Sequence, residues 1–133
     1  MKFFKRAAIY KASNVTYKPE TREAFSYAWW QFVKVINGKT VFNKYHYSQS
    51  TCGHQSKVHR VMSALGQDID INVETPRGLQ SNDLKTDLIQ TSESFIRTLQ
   101  NEQAKGKPAS RAYQERARQI QFYCNQLNFA NTL

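Results

Sequence analysis

An α+β fold is the class this sequence predicts, and three observations predict it. An Asn-Gly pair at 37 and 38 separates two stretches of β-formers, residues 68–74 alternate cleanly, and helical periodicity runs through residues 82–104 and again from 110. The chain has 133 residues, 40% hydrophobic and 13% aromatic, which is enough for one packed core and too little for two ordinary domains. A single domain over 1–133 is expected, with a basic, aromatic sheet-and-helix part at 1–78 and a helical hairpin at 79–133.

Residues 3–12 alternate loosely and read as a strand closed by Ser13-Asn14. The run from Pro19 to Ala24 carries helix-start chemistry, an early proline followed by acids, and reads as a short helical turn. FSYAWWQFVKVI, Asn37-Gly38 and KTVFNKYHYS then read as a long antiparallel hairpin, because Asn-Gly suits the two positive-φ positions of a type I′ turn. Pairing Ile36 with Lys39 sorts the side chains into two faces. Trp29, Val33, Val35 and Phe42 form the better apolar block and are assigned to the core, leaving Trp30, Lys34, Lys39, Tyr45 and Tyr47 outward. Both faces are apolar enough that the inverse assignment stays open.

Ser50 or Thr51 can cap a helix running to about Leu65, with His54, Val58, Val61, Met62 and Leu65 on one stripe and Gly66 ending it. Residues 68–74 read as a half-buried strand with Ile69, Ile71 and Val73 inward. Leu84, Leu88, Ile89, Phe95, Ile96 and Leu99 follow a Ser81/Asn82 cap. A second helix capped by Ser110 carries Tyr113, Ala117, Ile120, Cys124 and Leu127. The expected fold is therefore an antiparallel sheet built on the Asn-Gly hairpin, one packed helix and a C-terminal helical hairpin.

Nineteen Lys and Arg against ten Asp and Glu give a net charge of +9. Residues 1–66 hold eleven of the basic residues and only two acids, Glu20 and Glu23, so the whole excess belongs to this half, which also holds twelve of the seventeen aromatics. A basic surface interleaved with rings suits a polyanion with flat faces, since Lys and Arg neutralise phosphates and aromatic rings stack on bases. The same composition also describes a small sheet with an aromatic core and a wetted lysine face.

The richest polar cluster runs from Tyr45 to Arg60 across the strand-to-helix junction. Its hydroxyls and free helix amides suit a phosphate, and equally a plain helix cap. His46, His54 and His59 do not make a metal site: His54 and His59 point apart on the helix and no carboxylate lies between Glu23 and Asp68. A metal-independent nuclease with His46 or His59 as base and Lys57 or Arg60 as clamp lacks a second defined partner. Cys52 and Cys124 are too few for a disulfide framework and read as reduced thiols. No phosphate loop, nucleophile elbow or dinucleotide fingerprint is present, so no cofactor, metal or catalytic residue is assigned. No apolar run approaches the roughly 18 residues of a membrane span, and charge interrupts the N-terminus before a signal-peptide core forms, so a cytoplasmic location is expected.

The block SYAWWQFVKVINGKTVFNKYHYSQSTCGHQSKVHRVMSALG with IDINVETPRGLQ resembles a pattern in small bacteriophage proteins. The resemblance implies a cytosolic protein made during infection, where small basic proteins bind nucleic acid or block a host defence complex. The leading expectation is non-catalytic binding of DNA or RNA, with Lys34, Lys39, Lys44, Lys57 and Arg60 at phosphates, Trp30, Tyr45 and Tyr47 as stacking platforms, and His46 also among the binding residues. The alternatives are an inhibitor that binds a host nuclease or other nucleic-acid-binding complex directly, and the small nuclease; the C-terminal helices are a candidate homodimer contact.

Overall fold

The computed structural model describes residues 8–133, so the part of the expected first strand at 3–7 lies outside the described residues. The class is α+β, with six strands in one mixed sheet and three helices among the described residues. The chain divides into two compact units, Met1–Asn82 and Asp83–Leu133.

In the first unit, Tyr10–Ala12 (β1) pairs with Val15–Lys18 (β2), Ala12 lying opposite Val15 across a turn in which Asn14 holds φ +61°. Asparagine tolerates this region better than most residues. The expected helical turn at 19–24 is instead a tight connection with Arg22 at φ +56°, and Glu23–Ser26 (β3) begins inside it. Pairing wins there because Tyr17 and Ala24 lie opposite each other and are both fully buried.

The stretch expected as one strand from Phe25 to Ile36 is broken by a turn with Tyr27 and Ala28 at φ +54° and +65°, after which Trp30–Ile36 (β4) returns against β3. Ser26 faces Trp30 and Phe25 faces Gln31, but Ala24 faces Val33, so Phe32 is the extra residue of a β-bulge. One extra residue reverses the alternation of faces. Trp30, Phe32 and Val33 consequently all join one core with Phe42, Val58 and Met62. The expected assignment of the two tryptophans is thereby inverted: Trp30 is 1% exposed and Trp29 50%, while Val35, also expected in the core, is 41% exposed.

Lys39–Asn43 (β5) pairs antiparallel with β4, Ile36 opposite Lys39 and Val33 opposite Phe42, with Asn37 and Gly38 at positive φ between them. The strand ends at Asn43, five residues before the expected end, because the buried Asn43 side chain takes over the pairing. Its Oδ1 accepts from the backbone N–H groups of Tyr45 (3.2 Å) and Thr75 (3.1 Å), and its Nδ2 donates to the Thr75 carbonyl at 2.9 Å. Gln49–Ala64 (α1) follows, capped not by Ser50 or Thr51 but by Ser48, whose Oγ accepts from the Thr51 N–H at 3.1 Å. Thr51, His54, Gln55, Val58 and Met62 face inward, whereas Leu65 is exposed. Gly66, at φ +69°, closes the helix, and the Gln67 N–H reaches back to the Met62 carbonyl.

Because α1 carries the chain back along the sheet, Ile71–Val73 (β6) pairs parallel with β5, and the sheet is mixed where an antiparallel one was expected. The strand is shorter than residues 68–74, since Asp70 meets Thr40 through its carboxylate at 2.7 Å and its own N–H at 2.9 Å. Residues 75–80 then fold against β4. The Leu79 N–H donates to the Gln31 carbonyl, Gln80 Oε1 accepts from the Gln31 N–H, and Trp30 Nε1 donates to the Pro76 carbonyl.

The second unit is Leu84–Ala104 (α2) and Arg111–Ala130 (α3). Asp83 occupies the cap position of α2, in place of the expected Ser81 or Asn82, and makes no side-chain cap bond. Ser110 does cap α3, accepting from the Tyr113 N–H at 3.1 Å. The helices run antiparallel: Gln126 Nε2 donates to the Leu88 carbonyl, the Phe95 and Tyr123 rings stack with centroids 4.9 Å apart, and Gln103 reaches Tyr113.

Candidate functional site

A cleft of about 410 Å³ opens between the end of β5 and one flank of α1, lined by Phe42, Lys44, Cys52, Gln55, Ser56, His59 and Arg60. The local sequence explains the convergence. Phe42 faces α1 because it pairs with Val33, and Lys44, two residues on, keeps that side while its N–H donates to the Val73 carbonyl at 2.8 Å. On the helix, Cys52, Ser56, His59 and Arg60 recur at steps of four, three and one, which places them along one flank. Gln55 fixes the bend between the two elements by donating from Nε2 to the carbonyls of Asn43 (2.7 Å) and Tyr45 (3.1 Å). The Phe42 ring meets the His59 ring edge-on at 5.9 Å.

Two cations, an imidazole and a hydroxyl line this cleft, and among the described residues no carboxylate is part of its lining. The arrangement suits an anion with several acceptor oxygens, which Lys and Arg neutralise and Ser56 can hydrogen-bond.

Of the residues expected at a nucleic-acid surface, the fold brings Lys44 and Arg60 together here. His46 and Lys57 are exposed but do not line the cleft. Lys34 and Lys39 lie on the opposite face of the sheet, since they pair with Val41 and Ile36 rather than with the Phe42 row; Lys34 Nζ lies 3.4 Å from the Leu79 carbonyl. Tyr45 is half-buried against the core. Trp30 is sealed within it and cannot stack on any ligand. Tyr47 alone of the expected platforms is open to solvent, at 50%.

Its partner is the tryptophan that sequence reasoning placed inside. Trp29 packs edge-on against Tyr47 at 5.9 Å, and Tyr47 leans on the buried Trp30 ring at 5.5 Å. From there ring contacts continue through Phe32 and Phe42 to His59 at the wall of the cleft. Beside Trp29, the exposed Tyr27 lines a smaller hollow of about 230 Å³ with Lys11, again without a carboxylate. The signal that could have exposed Trp29 was the adjacent Trp-Trp pair, of which a strand can bury one on a given face.

The chain matches no protein-family model, no curated protein and no solved structure.

One further constellation has the appearance of a nucleophile and its base. Ser26 Oγ lies 2.7 Å from His54 Nδ1 and 3.2 Å from Thr51 Oγ1, with the Tyr27 ring edge-on to the imidazole at 5.2 Å. Ser26 is fully buried, so no substrate reaches its oxygen, and the cluster joins β3 to α1. Burial holds His54 below its ordinary value, reinforced by the charge of Lys57 and opposed by a hydrogen bond to the Ser13 backbone. Among the described residues no three His, Cys, Asp or Glu gather as a metal site, and no helix is long and apolar enough to cross a membrane.

Proposed function

We propose that this protein binds nucleic acid without catalysing a reaction on it, holding the phosphate backbone at the cleft between β5 and α1. The observation that carries the reading is that Lys44, His59 and Arg60 converge with Ser56 in the lining of one hollow, within the half of the chain that owns the entire +9 excess. Lys and Arg at such a site displace counterions condensed on the nucleic acid, so affinity falls as salt rises. Lys57, on the same helix, adds to the approach field without lining the cleft. The bacteriophage resemblance belongs with this reading, and a cytoplasm under infection is its setting.

The test is a salt titration of binding to labelled DNA and RNA. Affinity is expected to fall steeply between about 50 and 200 mM salt, and a Lys44→Ala, Arg60→Ala double variant to bind about tenfold or more weakly with a shallower salt slope. A salt-independent affinity, or one that the double variant leaves unchanged, overturns the assignment of the cleft.

A further inference from the structure

We infer that Trp29 and Tyr47 form a stacking platform for unpaired bases, which makes the protein a binder of single strands in preference to duplex. The inference rests on the nucleic-acid reading above and names the substrate class within it.

Large rings normally leave water on folding, and a contiguous exposed group of them marks a contact surface. Tyr27, Trp29 and Tyr47 are all exposed here, and Trp29 and Tyr47 touch. They are also held in place. Tyr47 leans on Trp30, which is itself buried and anchored through Nε1 to the Pro76 carbonyl at 2.9 Å. The turn that projects Trp29 is pinned by the Tyr27 N–H donating to the Asn14 carbonyl at 2.7 Å. Rings fixed in this way lose little freedom when a base stacks on them.

The turn itself adds a second argument. Tyr27 and Ala28 both sit in the left-handed region, which non-glycine residues occupy at a cost. Glycine would connect β3 and β4 with less strain. The residues present instead set the Tyr27 ring against His54 and leave Trp29 in solvent.

Charge complementarity selects the occupant. The hollow beside Tyr27 contains Lys11, the cleft at the far end of the ring row contains Lys44 and Arg60, and neither is lined by an acid. A ligand with both anionic groups and flat apolar faces satisfies all three features, and a single strand offers both at once. A duplex does not, because its base faces are covered by neighbouring bases and only their edges show in the grooves.

Fluorescence anisotropy with a single-stranded probe of about 20 nucleotides and a duplex of equal length separates the cases. The single strand is expected to bind about tenfold or more tightly than the duplex and to quench tryptophan emission. Trp29→Ala and Tyr47→Ala are each expected to weaken single-strand binding by about 5- to 100-fold while leaving duplex binding unchanged, and Trp29→Phe to restore most of it. Circular dichroism confirms that the variants fold. Equal affinity for both probes, unaffected by Trp29→Ala, overturns the platform while the phosphate cleft stands. Binding to neither probe overturns the cleft and the platform together. Self-association abolished by Trp29→Ala, with single-strand affinity intact, also overturns the platform, because a second copy then covers the rings.

Discussion

Ser26 Oγ and His54 Nδ1 lie 2.7 Å apart with both side chains out of solvent, tying β3 to α1 through an imidazole. The groups facing the imidazole are Ser26, itself bonded to Thr51 Oγ1, the Tyr27 ring, the Ser13 backbone and the charge of Lys57. Burial lowers the folded-state value below 6.5, so between that value and 6.5 the unfolded chain binds more protons than the folded one. This contribution to stability is present above about pH 6.5 and is lost as pH falls through the folded value. Thermal midpoints measured between about pH 7.5 and 5 are expected to decline, and a His54→Gln variant to decline less over that window. Equal slopes for the two proteins would exclude His54 as the source.

The two adjacent tryptophans should behave as opposites. Trp30→Ala removes a fully buried ring and its bond to Pro76 and is expected to cost about 3–5 kcal/mol in urea unfolding. Trp29→Ala is expected to change stability by no more than about 0.5 kcal/mol. A Trp30→Phe variant, which retains Trp29 alone, should be readily quenched by acrylamide; strong protection would place Trp29 inside.

Gly78 sits at φ +89°, and a Cβ there would collide with Gln80 Oε1, the oxygen that accepts from the Gln31 N–H. Gly78→Ala therefore strains the backbone and displaces that bond, and about 1–3 kcal/mol should be lost. Gly53 is the control: it lies within α1, and a Cβ would meet nothing within 4 Å. Gly53→Ala is expected to stabilise by about 0.5–1 kcal/mol. Similar losses for both would mean that local geometry is not the cause.

Among the described residues, Thr75 Oγ1 is buried without a hydrogen-bond partner, although the Thr75 backbone is held on both sides by Asn43. Thr75→Val keeps the shape and removes the unsatisfied hydroxyl. Stability should hold or rise by about 1–2 kcal/mol. A loss above about 1 kcal/mol would reveal a partner for that oxygen.

The candidate site was legible in part. The concentration of Lys, Arg and polar residues between Lys44 and Arg60 is visible in the chain, and it is where the cleft lies. That Lys34 and Lys39 point away from it, and that Phe42 and His59 close it, depends on which face of the sheet receives α1. A charge count carries no such information.

Features set by atoms a few residues apart were determined by the sequence alone: the Ser110 cap on α3, the end of α1 at Gly66, the turn at Ser13 and Asn14, the α+β class and the charge asymmetry. The tertiary structure alone decided the turn at Tyr27 and Ala28, the bulge at Phe32, the parallel pairing of β6 and the exchange of Trp29 for Trp30 at the surface. The physical reason is the strict alternation of strand side chains. One inserted residue exchanges the two faces beyond it, and the energy that favours the insertion comes from packing Trp30, Phe32 and Val33 together on the side that α1 covers.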